Sequence, residues 1–362
     1  MRAAIVGTGR MGRAIAWAMD KLGCKKFTLI DTDVENLIDC SQVSESVDDW
    51  NSGYRVLAIQ CDEYNPDYSA LSSCDIVISA LPYHQNEKLA RYCINQNIPY
   101  CDLGGHMSTS NSINDYAKNK GSVVMTDLGL APGWVNILAE HGYNSSRDLP
   151  ETVEMMVGGL PANPNNYLKY SCTWSHDGLI NEYKDQCEVL INGFNTLAAG
   201  MSGLVDIDTS LGPMEAFYTS GGASHTIGTM QKRGVNNCHY KTIRHKGHCE
   251  VMKFLIEECG LSNEDLSGLL NKACPPADDL VIIKAKVDKW EEEKIIRCNK
   301  KFSAMQMATA FPVSVVATMI ANHVGHTYRT GPLAYKDISY DIFEQNLDFL
   351  FTEANNEPES SN

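Results

Sequence analysis

The segment Gly7-Thr8-Gly9-Arg10-Met11-Gly12 constrains this chain more than any other. It follows a short apolar run, Ala3 to Val6. It opens a stretch through about Leu22 in which Met11, Ile15, Ala18, Met19 and Leu22 fall on one helical face. The order strand, glycine turn, helix gives each glycine a task. Gly7 permits the tight turn, Gly9 lets the backbone approach a bound pyrophosphate, and Gly12 lets the helix pack close to the strand. The next apolar run, Phe27 to Ile30, closes on Asp31, nineteen positions beyond Gly12. An acidic residue there completes a dinucleotide-binding fingerprint, with the helix N-terminus facing the phosphates. The Asp31 carboxylate can accept hydrogen bonds from a free adenosine ribose and repels a 2′-phosphate, and Thr32 and Asp33 add no positive charge. NAD is therefore expected in preference to NADP. Asp31 could instead cap a helix over Val34 to Ile38, a task that Asp33 fills better.

The strand and helix alternation continues. Strands are expected at Arg55 to Ile59, Asp75 to Leu81, Pro99 to Leu103 and Ser122 to Thr126, with helices around Glu87 to Ile94 and Ile113 to Lys118. Such alternation implies a parallel sheet covered on both faces. The loops after the strand ends add Ala80, Leu81, Pro82 and Gly104 to the cofactor-binding candidates, since ligands of open parallel sheets bind at the carboxyl ends of strands.

Length and composition set bounds. At 362 residues about two domains are expected. The formal net charge of −15 argues against phosphate-backbone binding, so no nucleic-acid partner is expected. The thirteen cysteines are scattered, odd in number and without a C-x-x-C pair, which reads as reduced thiols in a cytoplasmic protein. No signal peptide fits ahead of the glycine motif. The longest apolar stretches read as shorter than the roughly 18 residues a membrane helix needs. His239, His245 and His248, with Cys238 and Cys249, fit no metal-ligand spacing, and no metal is expected.

The second half carries an ordered series. Ser79-Ala80-Leu81-Pro82-Tyr83 is followed by Asp127-Leu128-Gly129-Leu130-Ala131-Pro132-Gly133, then Gly158-Gly159-Leu160-Pro161 and Thr173-Trp174-Ser175 with Gly178-Leu179. Glu215-Ala216-Phe217 comes next, and Thr242-Ile243-Arg244 leads into Gly247-His248. In this order and spacing the chain resembles the saccharopine dehydrogenase family in its broad sense, and within it the lysine 6-dehydrogenases. The resemblance runs from Arg2 to about Leu350. It implies an α/β fold: a Rossmann dinucleotide-binding domain with an inserted mixed α/β substrate domain and a C-terminal helix returning to the first domain. The expected boundaries are 1–130 plus 303–350 for the dinucleotide domain and 131–302 for the substrate and dimerisation domain. A disordered tail is expected at 355–362. The chain itself offers two strands, Ile282 to Val287 and Lys294 to Cys298, joined by a charged turn at Trp290 to Glu293, and then a helix over Met305 to Ile320 containing Pro312. A homodimer is implied by the resemblance alone.

Saccharopine reductases resemble this chain but carry an aspartate between Leu130 and Pro132, a cysteine just before Gly158-Gly159, and an arginine where this chain reads Ser220-Gly221-Gly222-Ala223. Here Ala131 and Val157 stand at the first two positions, and the loop has no basic residue. An α-carboxylate buried without a bidentate partner is costly, so the larger substrate is disfavoured. The resemblance implies NAD-dependent oxidation of a small amino acid, with lysine deaminated at its ε-carbon to the semialdehyde and ammonia. A saccharopine-type or other imine reductase is the alternative, and a non-catalytic NAD sensor a further one. Oxidising an amine needs a base near the nitrogen, an anchor for the α-carboxylate and a dry face against the ring. Arg244 is the candidate anchor, with Tyr83 and Gly159 as further substrate contacts. Asp127, His106, His225, His248 and Tyr83 are the acid/base candidates.

Overall fold

In the computed structural model, residues 1–42, 55–62, 67–172, 175–327 and 329–356 are described. They divide into two units, Met1–Trp134 with Gln306–Asn362, and Val135–Met305.

The first unit is built on buried apolar strands: β1 (Arg2–Val6), β2 (Lys26–Asp31), β3 (Arg55–Gln60), β4 (Ile76–Ser79), β5 (Tyr100–Asp102) and β6 (Val123–Met125). With β15 (Gly331–Pro332) they form one parallel sheet in the order β3-β2-β1-β4-β5-β6-β15. Burial at all four positions of β4 explains its continuous apolar run, because a parallel sheet has no solvated face. The strand order reverses between β1 and β4, and the glycine loop follows β1. The loop therefore sits at the topological switch point, where ligands of doubly wound sheets bind. The helices α1 (Arg10–Lys21), α2 (Val34–Ser41), α3 (Tyr83–Asn95) and α4 (Met107–Ala117) connect successive strands. Asp33 is the residue that caps α2, its side chain accepting the Glu35 N–H.

The chain returns to this unit through α10 (Ala304–Ala321) and α11 (Tyr340–Asn356). Phe311 stacks on Trp17 of α1 at 5.4 Å and meets Phe351 of α11 at 5.2 Å. The helix α10 corrects one expectation: at 18 residues and a mean hydropathy of 1.5 it is long and apolar enough to cross a membrane. The expected helix, Met305 to Ile320, is one residue short of it at each end. Most of it is buried in the protein, as expected of a core helix. The helix α11 runs through Asn356, so a disordered tail does not begin at 355; 357–362 lie outside the described residues.

The second unit carries a mixed sheet. Its strands are β7 (Thr152–Pro161), β8 (Cys187–Ile191), β9 (Phe194–Ala198), β10 (Val205–Thr209), β11 (Gly212–Tyr218), β12 (Asn237–Arg244), β13 (Asp279–Val287) and β14 (Trp290–Arg297). The order is β10-β11-β12-β7-β13-β14, with β8 pairing β12 and β9. Only β12 and β7 run parallel. Its helices are α5 (Trp134–Ser145), α6 (His176–Lys184), α7 (Thr226–Lys232), α8 (His248–Lys253), continued by a π-helical turn at Phe254–Glu258, and α9 (Asn263–Ala273). Leu179, Ile180 and Tyr183 of α6 and Leu266 and Leu270 of α9 share a core with Phe217 of β11 and Met252 of α8.

Several element ends differ from the sequence expectation. The strand β4 stops at Ser79, and α3 begins at Tyr83 rather than near Glu87. The helix α4 starts at Met107, six residues before Ile113, because the His106 ring accepts the Ser108 N–H and caps it. Trp290 to Glu293 is not a turn but the start of β14; the turn is Asp288-Lys289. Charges misled the reading there. The strand β14 is a sheet edge, where charged side chains block further pairing, and Glu291 and Glu293 both reach Lys284 of β13.

Candidate active site

In the first unit the glycine loop is built for an anion. A Cβ on Gly12 would lie 2.0 Å from the Gly7 carbonyl oxygen, so only glycine allows this contact of turn and helix. Gly7 has φ +90°, and a Cβ there would strike the Ala80 carbonyl at 2.8 Å. That contact lays the Ala80-Leu81-Pro82 segment against the loop. A Cβ on Gly9 would meet only Asn36 Nδ2, at 4.0 Å, among the described residues. Among the described residues no side chain caps α1, and no acidic residue lies in its first turn, so its leading N–H groups can meet a phosphate. Arg10 and Met11 form that turn, and the Arg10 carbonyl accepts a bond from Gln306 Nε2 at 3.1 Å. These residues fit a dinucleotide pyrophosphate.

Asp31 does more than await a ribose. Its Oδ2 accepts the Thr8 N–H at 2.5 Å and the Thr8 hydroxyl at 3.0 Å, while Oδ1 accepts the Asp33 N–H at 2.9 Å. The carboxylate thus locks the glycine loop and retains lone-pair capacity for a hydroxyl donor. Thr32 is exposed, and its carbonyl accepts Gln60 Nε2.

The ends of β4, β5 and β6 bring four candidates together. Tyr83 is 39% exposed and its ring stacks on His106 at 5.4 Å. Gly105 lies directly beneath Tyr83, where a Cβ would come within 2.9 Å of the tyrosine Cβ. His106 is exposed, with Nδ1 2.8 Å from the Ser108 hydroxyl. A Cβ on Gly104 would lie 2.4 Å from Asp127 Oδ1. Asp127 is buried at φ +64°, and its Oδ1 accepts the Ser110 hydroxyl at 2.7 Å.

Beside it stands Asp102, a residue the sequence reading missed. Asp102 Oδ1 accepts the N–H groups of Gly104 and Asp127, at 2.9 and 3.0 Å, and Oδ2 accepts the Tyr100 hydroxyl at 3.0 Å. Burial, reinforced by the like charge of Asp127, pushes the Asp102 carboxyl up to about 7. Asp102 ends a three-residue strand. Reading that strand on to Leu103 made it look like an interior position.

The second unit holds Arg244, His248, His225 and Gly159. Alternation along β12 puts Tyr240, Thr242 and Arg244 on one face, with Lys241 and Ile243 on the other. Arg244 is 4% exposed. Its Nε donates to the Tyr183 hydroxyl at 2.9 Å and its Nη1 to the Ile243 carbonyl at 3.0 Å, and the guanidinium lies 5.0 Å from the Tyr170 ring centroid. The Tyr183 oxygen, accepting from Arg244, gives its own proton to His248 Nε2 at 3.0 Å. His248 Nδ1 then donates to the Leu168 carbonyl at 2.9 Å. This chain fixes the tautomer. Burial, with Arg244 adding repulsion, drives the His248 ring down to about 3. His248 is a neutral bracket for Tyr183 with both nitrogens committed, which corrects its listing among open acids or bases. Glu215 explains why Gly247-His248 follows Arg244 so tightly: its two oxygens accept the N–H groups of Gly247 and Cys249 at 2.8 and 2.6 Å.

Near this network the loop Ser220 to Ser224 is held by Asn136, which is fully buried; its Nδ2 reaches the Ala223 carbonyl at 3.0 Å and the Thr226 hydroxyl at 2.9 Å. His225 follows, its Nδ1 3.1 Å from the Ser224 hydroxyl. Gly159 lies in β7 and pairs with Val281 of β13, and a Cβ on it would lie 2.6 Å from the Met305 methyl. Thr173 and Trp174 lie outside the described residues. Among the described residues no three His, Cys, Asp or Glu side chains converge as a metal site.

Comparison with known proteins points to one family. The saccharopine dehydrogenase NADP binding domain matches residues 3–127, and the saccharopine dehydrogenase C-terminal domain matches residues 129–350. The mitochondrial alpha-aminoadipic semialdehyde synthase of Rattus norvegicus is 27% identical over 221 residues, 58% of this chain but 23% of that protein. The chain thus spans about a quarter of that relative's length. Among solved structures, the apo saccharopine dehydrogenase (L-Glu forming) of Saccharomyces cerevisiae superposes with a TM-score of 0.69 at 15% identity, covering 98% of both chains. The homospermidine synthase of Legionella pneumophila, in complex with NAD, gives 0.67 at 12% identity, over 97% of this chain and 89% of that one. These two likenesses are of fold. With both domain families matched in order along nearly its whole length, the chain belongs to the saccharopine dehydrogenase family.

Proposed function

We propose that the protein is an NAD-dependent oxidoreductase acting on the CH–NH2 group of an amino acid, and that it deaminates L-lysine at the ε-carbon. The products are the semialdehyde, ammonia, NADH and a proton, with one water consumed. The observation that carries this reading is Arg244, a buried guanidinium braced on one side by Tyr183 and on another by Ile243. Such a fork suits a carboxylate held in a fixed place. The absence of a cation in Ser220-Gly221-Gly222-Ala223 favours a substrate with one carboxylate anchor over saccharopine, which has more than one. Relatives named for alpha-aminoadipic semialdehyde carry in their name the aldehyde that lysine yields on losing its ε-nitrogen.

A bound nicotinamide ring supplies the hydride acceptor. The chain's own residues do the rest. The glycine loop and α1 hold the pyrophosphate, Asp31 takes the ribose, and Arg244 holds the substrate carboxylate. The ε-ammonium, with a reference pKa of about 10.4, must lose a proton before oxidation. His106, Asp127 and Tyr83, at the strand ends of the first unit, remain the acid/base candidates, the imidazole or carboxylate as base and the Tyr83 phenol as a hydrogen-bonding group. The deciding experiment incubates purified protein and NAD with lysine, ornithine, diamines and saccharopine, and quantifies NADH, ammonia and glutamate. Lysine-dependent NADH with equimolar ammonia supports the reading. Saccharopine turnover with glutamate release replaces it.

Two predictions follow from the brackets around the binding groups. NAD binds more tightly than NADP. In Asp31→Ala both dinucleotides weaken, because the Thr8 N–H loses its acceptor and the loop slackens. NAD weakens more, narrowing the preference on the order of tenfold, as for loss of a charged hydrogen bond. Fluorescence titration of both cofactors checks this, and equal affinities in the unaltered protein would refute the assignment. Tyr183→Phe frees Arg244 Nε and loosens the fork. The KM for lysine then rises about tenfold while kcat holds, the pattern of lost uniform binding. Cadaverine, lysine without its carboxylate, is unaffected. A general drop with both substrates would show Tyr183 to be structural only.

A further inference from the structure

We infer that Glu182 and Arg244 together form a receptor for the zwitterionic head of an α-amino acid, Arg244 taking the carboxylate and Glu182 the α-ammonium. This rests on the reading of Arg244 as the carboxylate anchor.

The backbone places the two groups together. Ser175 caps α6 by accepting the Gly178 N–H, with Asp177 in the first turn and Lys184 in the last. Near the end of this helix Glu182 and Tyr183 are consecutive. The Tyr183 hydroxyl holds Arg244, and the Glu182 carbonyl accepts the Ser220 N–H at 3.0 Å. Both residues are pinned, one through its neighbour's side chain and the other through its own backbone.

The side chains are left open. Among the described residues neither Glu182 oxygen accepts a hydrogen bond, and Arg244 Nη2 donates none. The two sense each other's charge, yet no nitrogen and oxygen of the pair approach within ion-pair distance. A half-buried carboxyl and a buried guanidinium interact here without touching, and their open atoms still reach solvent, so a ligand that replaces that water can bond to both. A molecule carrying a carboxylate and an ammonium on one carbon spans such a gap and satisfies both. A diamine satisfies only Glu182, and a plain carboxylate only Arg244.

Protonation adds a signature. Burial pushes the Glu182 carboxyl up to about 8, against the pull of Arg244. The groups facing it are Arg244 and Tyr240 of β12, Tyr183 of its own helix and Cys187 of β8. A carboxyl raised in this way takes up a proton more readily near neutrality than an ordinary glutamate does. An arriving ammonium favours the carboxylate and expels that proton.

The test uses the protein saturated with NAD and two probes that cannot be oxidised at the ε-position. L-Norleucine carries the whole head group, and hexanoate carries the carboxylate alone. Calorimetry at pH 7 in two buffers of different ionisation enthalpy should show norleucine binding at least tenfold tighter than hexanoate, with proton release for norleucine only. Glu182→Gln should bring norleucine to the affinity of hexanoate, abolish the proton release and leave hexanoate unchanged. Hexanoate is thereby the control for folding. The receptor is overturned if norleucine binds no tighter than hexanoate, if Glu182→Gln leaves norleucine binding intact, or if the variant loses both ligands together. Norleucine binding of the expected kind with no lysine turnover would remove the lysine assignment and leave the receptor standing. Lysine turnover with Glu182-independent norleucine binding would do the reverse.

Discussion

Replacing Arg244 by alanine lowers kcat/KM for lysine by roughly 30- to 1000-fold and leaves cadaverine nearly unchanged. The magnitude comes from the loss of one member of a buried charge pair, about 2–4 kcal/mol, converted at 1.36 kcal/mol per tenfold. Arg244 is held by the Tyr183 hydroxyl and the Ile243 carbonyl, so its fork is set before substrate arrives. Pre-set geometry reduces the ordering cost of binding. If the carboxylate contact is equal in ground and transition states, the loss falls on KM. If it also aims the ε-carbon, kcat falls as well, because near-attack geometry erodes. Arg244→Lys recovers charge but neither the fork nor the bond to Tyr183, so it should restore little. Cadaverine has nothing to give the guanidinium. It should be a poor substrate for the unaltered protein and no poorer for the variant. Dinucleotide binding should be untouched, as the glycine loop and Arg244 belong to different units. Equal damage to lysine and cadaverine, or weakened NAD binding, removes the anchor assignment.

What the sequence disclosed and what it hid have a common physical explanation. The glycine loop was legible because its demands are local. Gly7 needs positive φ, Gly12 needs the absence of a Cβ, and both lie within one turn of chain. The parallel sheet was legible because burial on both faces writes itself as unbroken apolar runs. Arg244 could be proposed because Thr242-Ile243-Arg244 leading into Gly247-His248 belongs to the ordered series behind the family resemblance, and a planar guanidinium suits a carboxylate. Its brackets could not. Tyr183 lies 61 residues away and His248 is a further partner of that tyrosine, and nothing in N-E-Y-K distinguishes a buried hydroxyl from an exposed one. Glu182 was invisible for the same reason. Asp102 was lost to a strand boundary: with the strand read on to Leu103 it counted as an interior position and not as the strand's carboxyl end, where ligands of parallel sheets bind. The charged start of β14 was misread because its Glu residues find Lys284 only across the ladder.

Asp102→Asn should make the protein more stable at pH 8, relative to pH 5, by about 2–4 kcal/mol compared with the unaltered chain. The carboxyl sits at about 7 in the folded protein because it is buried and faces Asp127. In the unfolded chain it returns to about 3.9. Below pH 4 it is protonated in both states and has no effect on stability. Between pH 4 and 7 the unfolded chain gives up the proton while the folded protein keeps it. The folded state then binds more protons, so stability falls as pH rises, and the loss is complete once the folded carboxyl ionises. Asparagine has no such proton. Its oxygen can accept the N–H groups of Gly104 and Asp127, and its amide can donate to the Tyr100 hydroxyl in place of the bond that Oδ2 now accepts. His248 acts in the opposite sense over part of the same range. It is held neutral down to about 3, so it lends stability above its unfolded value near 6.5, which is lost as pH falls toward 3. The raw stability curve therefore mixes two trends. Urea unfolding of both proteins from pH 4.5 to 8.5, taken as variant minus parent, cancels the histidine and isolates the Asp102–Asp127 pair. A difference that grows through the neutral range supports the buried acid. Parallel curves would mean that Asp102 is already ionised at acid pH, sustained by its two backbone N–H donors and Tyr100.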